Sequence, residues 1–275
     1  MSKTIIAFIG GGNMARALIG GLLRSGHPAT AIHVADPSQD ARETLNRETG
    51  VPCFSDNVQA IETADVIVLA VKPGQLPPVC RAVGPALAGR NPLLVSIVAG
   101  TRCADIHRWL GTTLPLVRVM PNTPALIGAG ASALWADENV NADQRRIAGE
   151  ILGTAGTTVW LDKESELDVV TAISGSGPAY FFLFIEALSE AGEQLGLPAD
   201  TAARLARQTA LGAARMSLES GEDPATLRQR VTSPGGTTER GIAALETGHL
   251  RELVIQAAAA AHRRAEELAD AAGDS

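Results

Sequence analysis

Short apolar runs rich in β-branched residues recur over about the first 160 residues, separated by stretches with helical periodicity. The runs are apolar at every position, as strands buried on both faces of a parallel sheet require. Their alternation with helices predicts parallel βαβ units. The predicted strands are Thr4–Gly10, Ile32–Asp36, Val66–Ala70, Leu93–Ile97 and Leu116–Met120. Two further β-like runs, the apolar stretch Ala131–Trp135 and a last strand at Thr157–Trp160, complete the sheet, with a predicted helix at Ala142–Leu152 between them.

The pattern changes from about Glu164 onward, where Ala, Leu and Glu dominate and the β-rich runs stop. The longest predicted helices are Leu167–Leu195, Ala199–Glu219 and Leu250–Ala272. Pro178 removes a backbone donor, so we expect a kink in the first of these helices. The chain therefore divides into a mostly parallel, doubly wound α/β domain, residues 1–163, and an all-helical domain, residues 164–275.

The helical half is expected to pair with a second copy of the chain. About 110 residues of helix next to a small sheet domain bury more apolar surface in a homodimer than alone. Tyr180, Phe181, Phe182 and Phe184 lie on a mostly apolar helix, so we interpret them as core or dimer interface.

Composition excludes several classes of function. The chain has 275 residues, 45% of them hydrophobic, and a formal charge of -7 without a long run of either sign, so no nucleic-acid partner is expected. No segment approaches the ~20 apolar residues that span a bilayer, which predicts neither a membrane anchor nor a signal peptide. Cys53, Cys80 and Cys103 lack C-x-x-C spacing, so we expect no disulfide framework, no metal site and a reducing, cytoplasmic compartment.

A glycine-rich loop follows the first predicted strand. Gly10–Ala15 reads G-x-G-x-x-A and leads directly into the apolar helical run Met14–Leu23. Glycines there let the backbone approach a pyrophosphate, whose charge then lies at the positive end of the helix. Strand, loop, helix and second strand in this order predict a Rossmann domain that binds a nicotinamide dinucleotide. The candidate contacts are Gly10, Gly12, Asn13, Met14 and Ala15.

The second predicted strand ends on an acidic residue. Asp36 comes 21 residues after Ala15, where a carboxylate accepts hydrogen bonds from the ribose hydroxyls and favours NADH. A 2′-phosphate would meet like charge there, yet Ser38 and Arg42 could offset it, so NADPH or NADH stays open. An Asp before Pro37 is also typical of a turn.

Two further loops follow predicted strands at the carboxyl edge of the sheet, where open α/β sheets bind ligands. The candidate cofactor contacts in these loops are Val71, Lys72, Pro73, Ala99 and Gly100. Ser38 and Asn57 are two further candidate cofactor contacts. Lys72 could equally be a solvated surface residue.

Several collinear blocks resemble the signature of pyrroline-5-carboxylate reductases and together cover nearly the whole chain. The blocks are Ile9–Met14, Val71–Pro73, Met120–Pro124, Gly175–Tyr180, Leu227–Thr238, Gly241-Ile242 and Leu245-Glu246. The resemblance implies hydride transfer from NADPH or NADH to the C=N carbon of 1-pyrroline-5-carboxylate, giving L-proline in the last step of proline biosynthesis. It also implies a homodimer with interlocked helical halves, assembled into a larger ring.

The resemblance also implies site residues. The segment Ser233–Thr238 corresponds to the one that holds the substrate carboxylate, Thr238 to the threonine that faces the ring nitrogen, and Glu164 to a glutamate near cofactor and substrate. Many family members prefer NADPH and carry a small polar residue in place of Asp36, so their preference does not transfer. The candidate substrate contacts are Glu164, Ser233, Gly235, Gly236, Thr237 and Thr238, with Thr238 as the catalytic candidate.

The residues themselves agree with imine chemistry. Ser233–Thr238 supplies hydroxyls and backbone N–H groups before the helical run Glu239–Glu246, which predicts an anion nest, although an ordinary helix N-cap has the same composition. Thr238 could donate to the nitrogen while a proton arrives from solvent.

Two other readings stay open. A β-hydroxyacid dehydrogenase uses a helix-borne lysine, whereas the only lysines here are Lys3, Lys72 and Lys163, before the helical half. That absence favours an imine substrate, of this or a related kind. A non-catalytic dinucleotide sensor is the alternative from another class.

Overall fold

Eight strands form one sheet in the order β3-β2-β1-β4-β5-β6-β7-β8, in which only the β6–β7 pair is antiparallel. The structure, a computed structural model, describes residues 4–273. The strands are β1 (Ile6–Ile9), β2 (Ile32–Ala35), β3 (Cys53–Phe54), β4 (Val66–Leu69), β5 (Leu93–Ser96), β6 (Leu116–Met120), β7 (Gly130–Ala136) and β8 (Gly156–Trp160). All seven predicted strands are confirmed; the short edge strand β3 was missed because two residues carry no periodicity.

Helices cover both faces of the sheet, as the apolar strands require. Phe8 of β1 packs with Leu18 on one face, and Ile9 packs with Leu76 and Ile106 on the other. The doubly wound α/β fold is therefore confirmed, with the order reversing between β1 and β4. The helices of this part are α1 (Asn13–Arg24), α2 (Gln39–Thr49), α3 (Asn57–Ile61), α4 (Leu76–Leu87), α5 (Cys103–Leu110), α6 (Ala142–Gly153) and α7 (Glu166–Val170).

The chain forms two compact units whose limits differ from the predicted division at residues 163 and 164. Residues 4–176 and 260–273 form the sheet unit, and Gly177–Ala259 forms the helical unit. Leu167 and Ala172 are buried in the sheet unit, which explains why it extends past residue 163. The end of the last helix joins it through the buried Ala265 and Ala269.

The helical unit consists of α8 (Gly177–Gln194), α9 (Ala199–Glu219), α10 (Pro224–Arg230), α11 (Thr237–Thr247) and the first part of α12 (Leu250–Gly273). α8 and α9 approach closely because Gly192 has no side chain: a Cβ there would lie 2.9 Å from Cβ of Ala202. The expected kink is displaced. A π-helical segment, Thr171–Gly175, ends the preceding helix, and Pro178 lies in the first turn of α8, where proline is tolerated.

Apolar side chains remain exposed on the helical unit. Phe181 and Phe182 of α8 are 70% and 64% exposed. The continuous helical stretch Glu166–Gln194 is 29 residues long with a mean hydropathy of 1.3 in its most apolar window, enough by length and composition to cross a membrane. The prediction that no segment approaches this limit was therefore wrong for this helix, although the core helix of a soluble protein can meet the same criterion.

The buried imidazole of His27 makes the fold sensitive to acid. His27 is 6% exposed, and burial lowers its pKa against the opposing effect of the Ala31 and Thr4 backbone. Below about pH 6.5, His27 therefore binds a proton in the unfolded chain but not yet in the folded chain. We expect the free energy of unfolding to fall by up to about 1.4 kcal/mol per pH unit as pH drops through this range.

Urea unfolding between pH 7.5 and 5 measures this effect. His27→Leu should remove that part of the slope, and His249→Asn, at an exposed histidine, should leave it in place. Parallel profiles for wild type and His27→Leu would contradict the assignment.

Candidate active site

The glycine loop is held between the ends of β2 and β4. Gly10 donates its N–H to the carbonyl oxygen of Ala35 at 2.8 Å. Its φ is +103°, and a Cβ there would lie 2.5 Å from the carbonyl oxygen of Ala70. Only glycine meets both constraints, so the position of Gly10 in the loop is fixed by the sheet itself.

The start of α1 is open to a ligand. Gly12 is the N-cap residue, and a Cβ built on it meets no atom within 4 Å among the described residues other than its chain neighbours. The first turn contains no acidic residue, and the N–H groups of Asn13, Met14 and Ala15 have no intrahelical acceptor. This combination of open space, free donors and a positive helix end fits the pyrophosphate of a dinucleotide.

Asp36 joins the glycine loop to the turn after β2. Its Oδ2 accepts the N–H of Gly11 and its Oδ1 accepts the N–H of Ser38, both at 2.9 Å. The hydroxyl of Ser38 in turn accepts the N–H of Ala41 and caps α2. The turn that was an alternative reading is therefore present, and each carboxylate oxygen keeps a lone pair for a ribose hydroxyl.

Two arginines lie at this corner: Arg42, which the sequence indicated as a possible partner of a 2′-phosphate, and Arg16, which it did not indicate. Arg16 donates from Nε to the carbonyl oxygen of Gly11 and from Nη2 to that of Ala41, both at 3.2 Å. Arg42 donates from Nη1 to the carbonyl oxygens of Asp36 and Pro37. Arg16 was missed because its contacts with Gly11 and Ala41 are to backbone atoms, which leave no residue pattern.

The remaining candidate cofactor contacts follow the ends of β3, β4 and β5, at the same edge of the sheet as Gly12. They are Asn57, Val71, Lys72, Pro73, Ala99 and Gly100. Cγ1 of Val71 lies 3.2 Å from where a Cβ on Gly10 would be, and Lys72 is exposed. Gly100 has a φ of +65° and packs beside Leu268 of α12. All six thus lie at the same edge of the sheet as the loop, and their individual contacts with a cofactor stay predictions.

Glu164 lies in a buried charge cluster of the sheet unit. Its Oε1 accepts hydrogen bonds from Nη1 of Arg118 and from the N–H of Cys103, both at 2.8 Å. Arg118 is 5% exposed and is the one charged residue of β6. A charge inside an otherwise apolar strand could have revealed Arg118 from sequence. Glu164 therefore braces the start of α5 against β6, whatever ligand it also meets.

The segment Ser233–Thr238 belongs to the helical unit and leads into α11. Gly235 has a φ of +71° and donates its N–H to Oε2 of Glu239 at 2.8 Å, so this amide already faces a carboxylate. Gly236 is the N-cap residue, without a side-chain cap, and Thr238 is half-buried in the first turn. The geometry offers backbone donors and two threonine hydroxyls at the positive end of an eleven-residue helix.

Asn122 connects two of the sequence blocks within the sheet unit. Its Nδ2 donates to the carbonyl oxygen of Ser174 at 3.1 Å, and its Oδ1 accepts the N–H of Ala131 at 2.8 Å. Met120 also contacts Gly175, at the end of the π-helical segment. π-Helical turns occur often at functional sites because they redirect carbonyl groups. Asn122 holds one such carbonyl, a role that spacing along the chain does not reveal.

Within residues 4–273, no three His, Cys, Asp or Glu side chains come close enough together to hold a metal ion. The three cysteines are free thiols.

Known proteins match the chain over most of its length. Residues 164–268 match a family model described as pyrroline-5-carboxylate reductase dimerisation, and residues 5–100 match one described as NADP oxidoreductase, coenzyme F420-dependent. The pyrroline-5-carboxylate reductase of Pseudomonas aeruginosa is 50% identical over 273 residues, which are 99% of this chain and 100% of that protein.

Solved structures agree with this match. A pyrroline-5-carboxylate reductase from Coxiella burnetii has a TM-score of 0.93 and 47% identity, covering 97% of this chain and 98% of that one. A Plasmodium falciparum pyrroline carboxylate reductase with NADP bound has a TM-score of 0.86 and 31% identity, covering 98% and 99%.

The sheet order and the open glycine loop define the chain as a Rossmann-type dinucleotide-binding oxidoreductase with an added helical segment. Identity of 50% across its full length narrows this class further. The chain belongs to the pyrroline-5-carboxylate reductase family.

Proposed function

We propose that this protein reduces 1-pyrroline-5-carboxylate to L-proline with NADH or NADPH, the last step of proline biosynthesis. The observation that carries the proposal is the open cradle at Gly12 in a chain of this family. When bound, the nicotinamide supplies a hydride to the C=N carbon of the substrate.

The chain itself must hold the substrate carboxylate and orient the nitrogen. The N–H groups at the start of α11 suit the carboxylate, because a helix N-terminus favours negative charge. The hydroxyl of Thr238 suits the ring nitrogen, which it can hydrogen-bond as amine or orient as iminium. An iminium carbon accepts hydride more readily than a neutral imine carbon, so no strong side-chain acid is needed beyond solvent.

The two alternative hypotheses, a β-hydroxyacid dehydrogenase and a dinucleotide sensor, have less support. The sequence has no lysine after Lys163, so a hydroxyacid dehydrogenase mechanism would lack its usual proton donor in the helical half. A sensor that binds a dinucleotide without turnover is distinguished by assay alone.

Oxidation of NADH and of NADPH by the purified protein with racemic 1-pyrroline-5-carboxylate tests the proposal. We expect consumption of the reduced dinucleotide with proline as product. Dinucleotide binding without turnover with either donor would instead support a sensor, or a reductase of another cyclic imine.

Asp36 is expected to weaken the use of NADPH. The 2′-phosphate would lie against its carboxylate, whereas ribose hydroxyls can donate to it. We therefore expect Asp36→Ser to raise the ratio of kcat/KM for NADPH to that for NADH by about tenfold, equal to about 1.4 kcal/mol. Steady-state kinetics with both donors measure the ratio.

Asp36→Asn separates charge from shape, since it keeps the acceptor for Gly11 or Ser38 and removes the charge. It should shift the ratio in the same direction. Equal ratios in all three proteins would show that Asp36 does not touch the ribose.

We also propose that the protein is a cytoplasmic homodimer formed through the helical segment, assembled into a larger ring. The match of residues 164–268 to a dimerisation model and the exposed Phe181 and Phe182 support pairing through these helices. Three free thiols suit a reducing compartment. Light scattering should give at least twice the monomer mass of 28.5 kDa, and a stable monomer would contradict this arrangement.

A further inference from the structure

A polar cavity of about 640 Å³ lies within the sheet unit. Glu164, a candidate substrate contact, lines it, whereas no residue of the glycine loop or of the segment Ser233–Thr238 does. β6, the loop before α5, the start of α7 and the end of α12 form its walls. Its charged lining residues are Arg102, Arg118, Glu164, Asp168, Glu266 and Asp270. A volume of this size is within the range of small-molecule sites in proteins, ~300–1,000 Å³.

The cavity carries excess negative charge. Arg118 is paired with Glu164 at 2.8 Å, and Arg102 with Asp270 at 2.6 Å. Each arginine is thus neutralised by one carboxylate, and two carboxylates, Asp168 and Glu266, remain. Nε2 of His262 lies 3.8 Å from Oε1 of Glu266.

Asp168 is the most buried of the four carboxylates that line the cavity. It is 8% exposed, and no side chain or backbone donor of residues 4–273 hydrogen-bonds to its carboxylate. Burial raises its pKa, opposed by the charges of Arg118, Arg102 and His262 and assisted by Glu266. Because an unpartnered buried carboxylate is costly, the cavity offers a strong site for a donor from outside the chain.

We propose that this cavity binds a compact organic dication, a short alkyl diamine with one ammonium group at Asp168 and the other at Glu266. Two ammonium groups match the two excess carboxylates, and the alkyl chain fills a volume too large for a single ammonium ion. A divalent metal is a poorer match, because no three ligating side chains converge among the described residues.

Calorimetric titration of the full-length protein with 1,4-diaminobutane, in the absence of dinucleotide, tests the proposal. We expect saturable binding at one site per chain that weakens as salt is added, because exposed parts of the pairs are screened. Butylammonium should bind more weakly, and 1,4-butanediol, of the same length without charge, should not bind.

Variants locate the site. Asp168→Asn is expected to weaken binding of 1,4-diaminobutane by about tenfold or more, and Glu266→Gln, at a more exposed position, by a smaller factor. Asp200→Asn, on the surface of α9, is the matched control and should bind as wild type does. If Asp168→Asn fails to fold, Glu266→Gln still decides the question. Absence of saturable binding to wild type, or unchanged affinity in Glu266→Gln and Asp168→Asn, would overturn the proposal.

Discussion

Gly12→Val is expected to lower the affinity for NADH and NADPH by about a hundredfold or more, a loss of about 2.7 kcal/mol. The valine would occupy the open space above the first turn of α1, where the pyrophosphate has to lie. The fold should survive, because Gly12 has an extended backbone, φ -71° and ψ -178°, and a Cβ there meets no described atom within 4 Å beyond its chain neighbours. Fluorescence titration with each dinucleotide measures the affinity.

Thermal unfolding separates a lost site from a lost fold. The free energy of unfolding of Gly12→Val should stay within about 1 kcal/mol of wild type, which is the effect of a changed N-cap. Gly10→Val should instead destabilise the fold, because the φ of +103° and the carbonyl oxygen of Ala70 leave no room for a side chain. Gly153→Val, at another open glycine, is the control for affinity. Wild-type affinity in Gly12→Val would show that this loop does not hold the pyrophosphate.

Thr238→Ala is expected to lower kcat by about a hundredfold, the typical effect of removing one well-placed donor from a reacting group. The hydroxyl is half-buried in the first turn of α11, so its loss removes a polarised hydrogen bond rather than helix structure. Affinity for the dinucleotide should stay within about twofold, because the cradle belongs to α1. Initial rates under saturating dinucleotide give kcat and KM for 1-pyrroline-5-carboxylate.

Thr238→Ser keeps the hydroxyl and should retain most of the turnover. Thr247→Ala, at the other end of the same helix, is the control and should behave as wild type does. A kcat unaffected in Thr238→Ala would exclude the hydroxyl from the reaction and leave the backbone donors of α11 as the only protein contacts proposed there.

The parts of the fold that local patterns encode were predictable. β6 was placed at its observed limits, because its five residues are apolar on both sides of Arg118 and lie between two prolines, which bound a buried strand. The glycine loop and Asp36 were also located in advance, since both depend on spacing within one βαβ unit.

Contacts between distant parts of the chain were not predictable in the same way. Arg102 and Asp270 are 168 residues apart, and Arg118 and Glu164 are 46 apart. The division into units after Ser176 depends on such contacts, because composition already changes near Glu164 while the chain still packs on the sheet. Glu164 was singled out by resemblance alone, and its bonds to Arg118 and Cys103 needed the structure.

The sheet unit is built from two separate parts of the chain, and this sets an order for its synthesis. Residues 260–273 leave the ribosome after every residue of the helical unit. A nascent chain thus holds all of α8 to α11 while Ala265 and Ala269, which the sheet unit buries, are still missing. Residues 4–176 of the sheet unit are synthesised before the helical unit but are completed only after it, so chains arrested before residue 260 should carry an unfinished sheet unit.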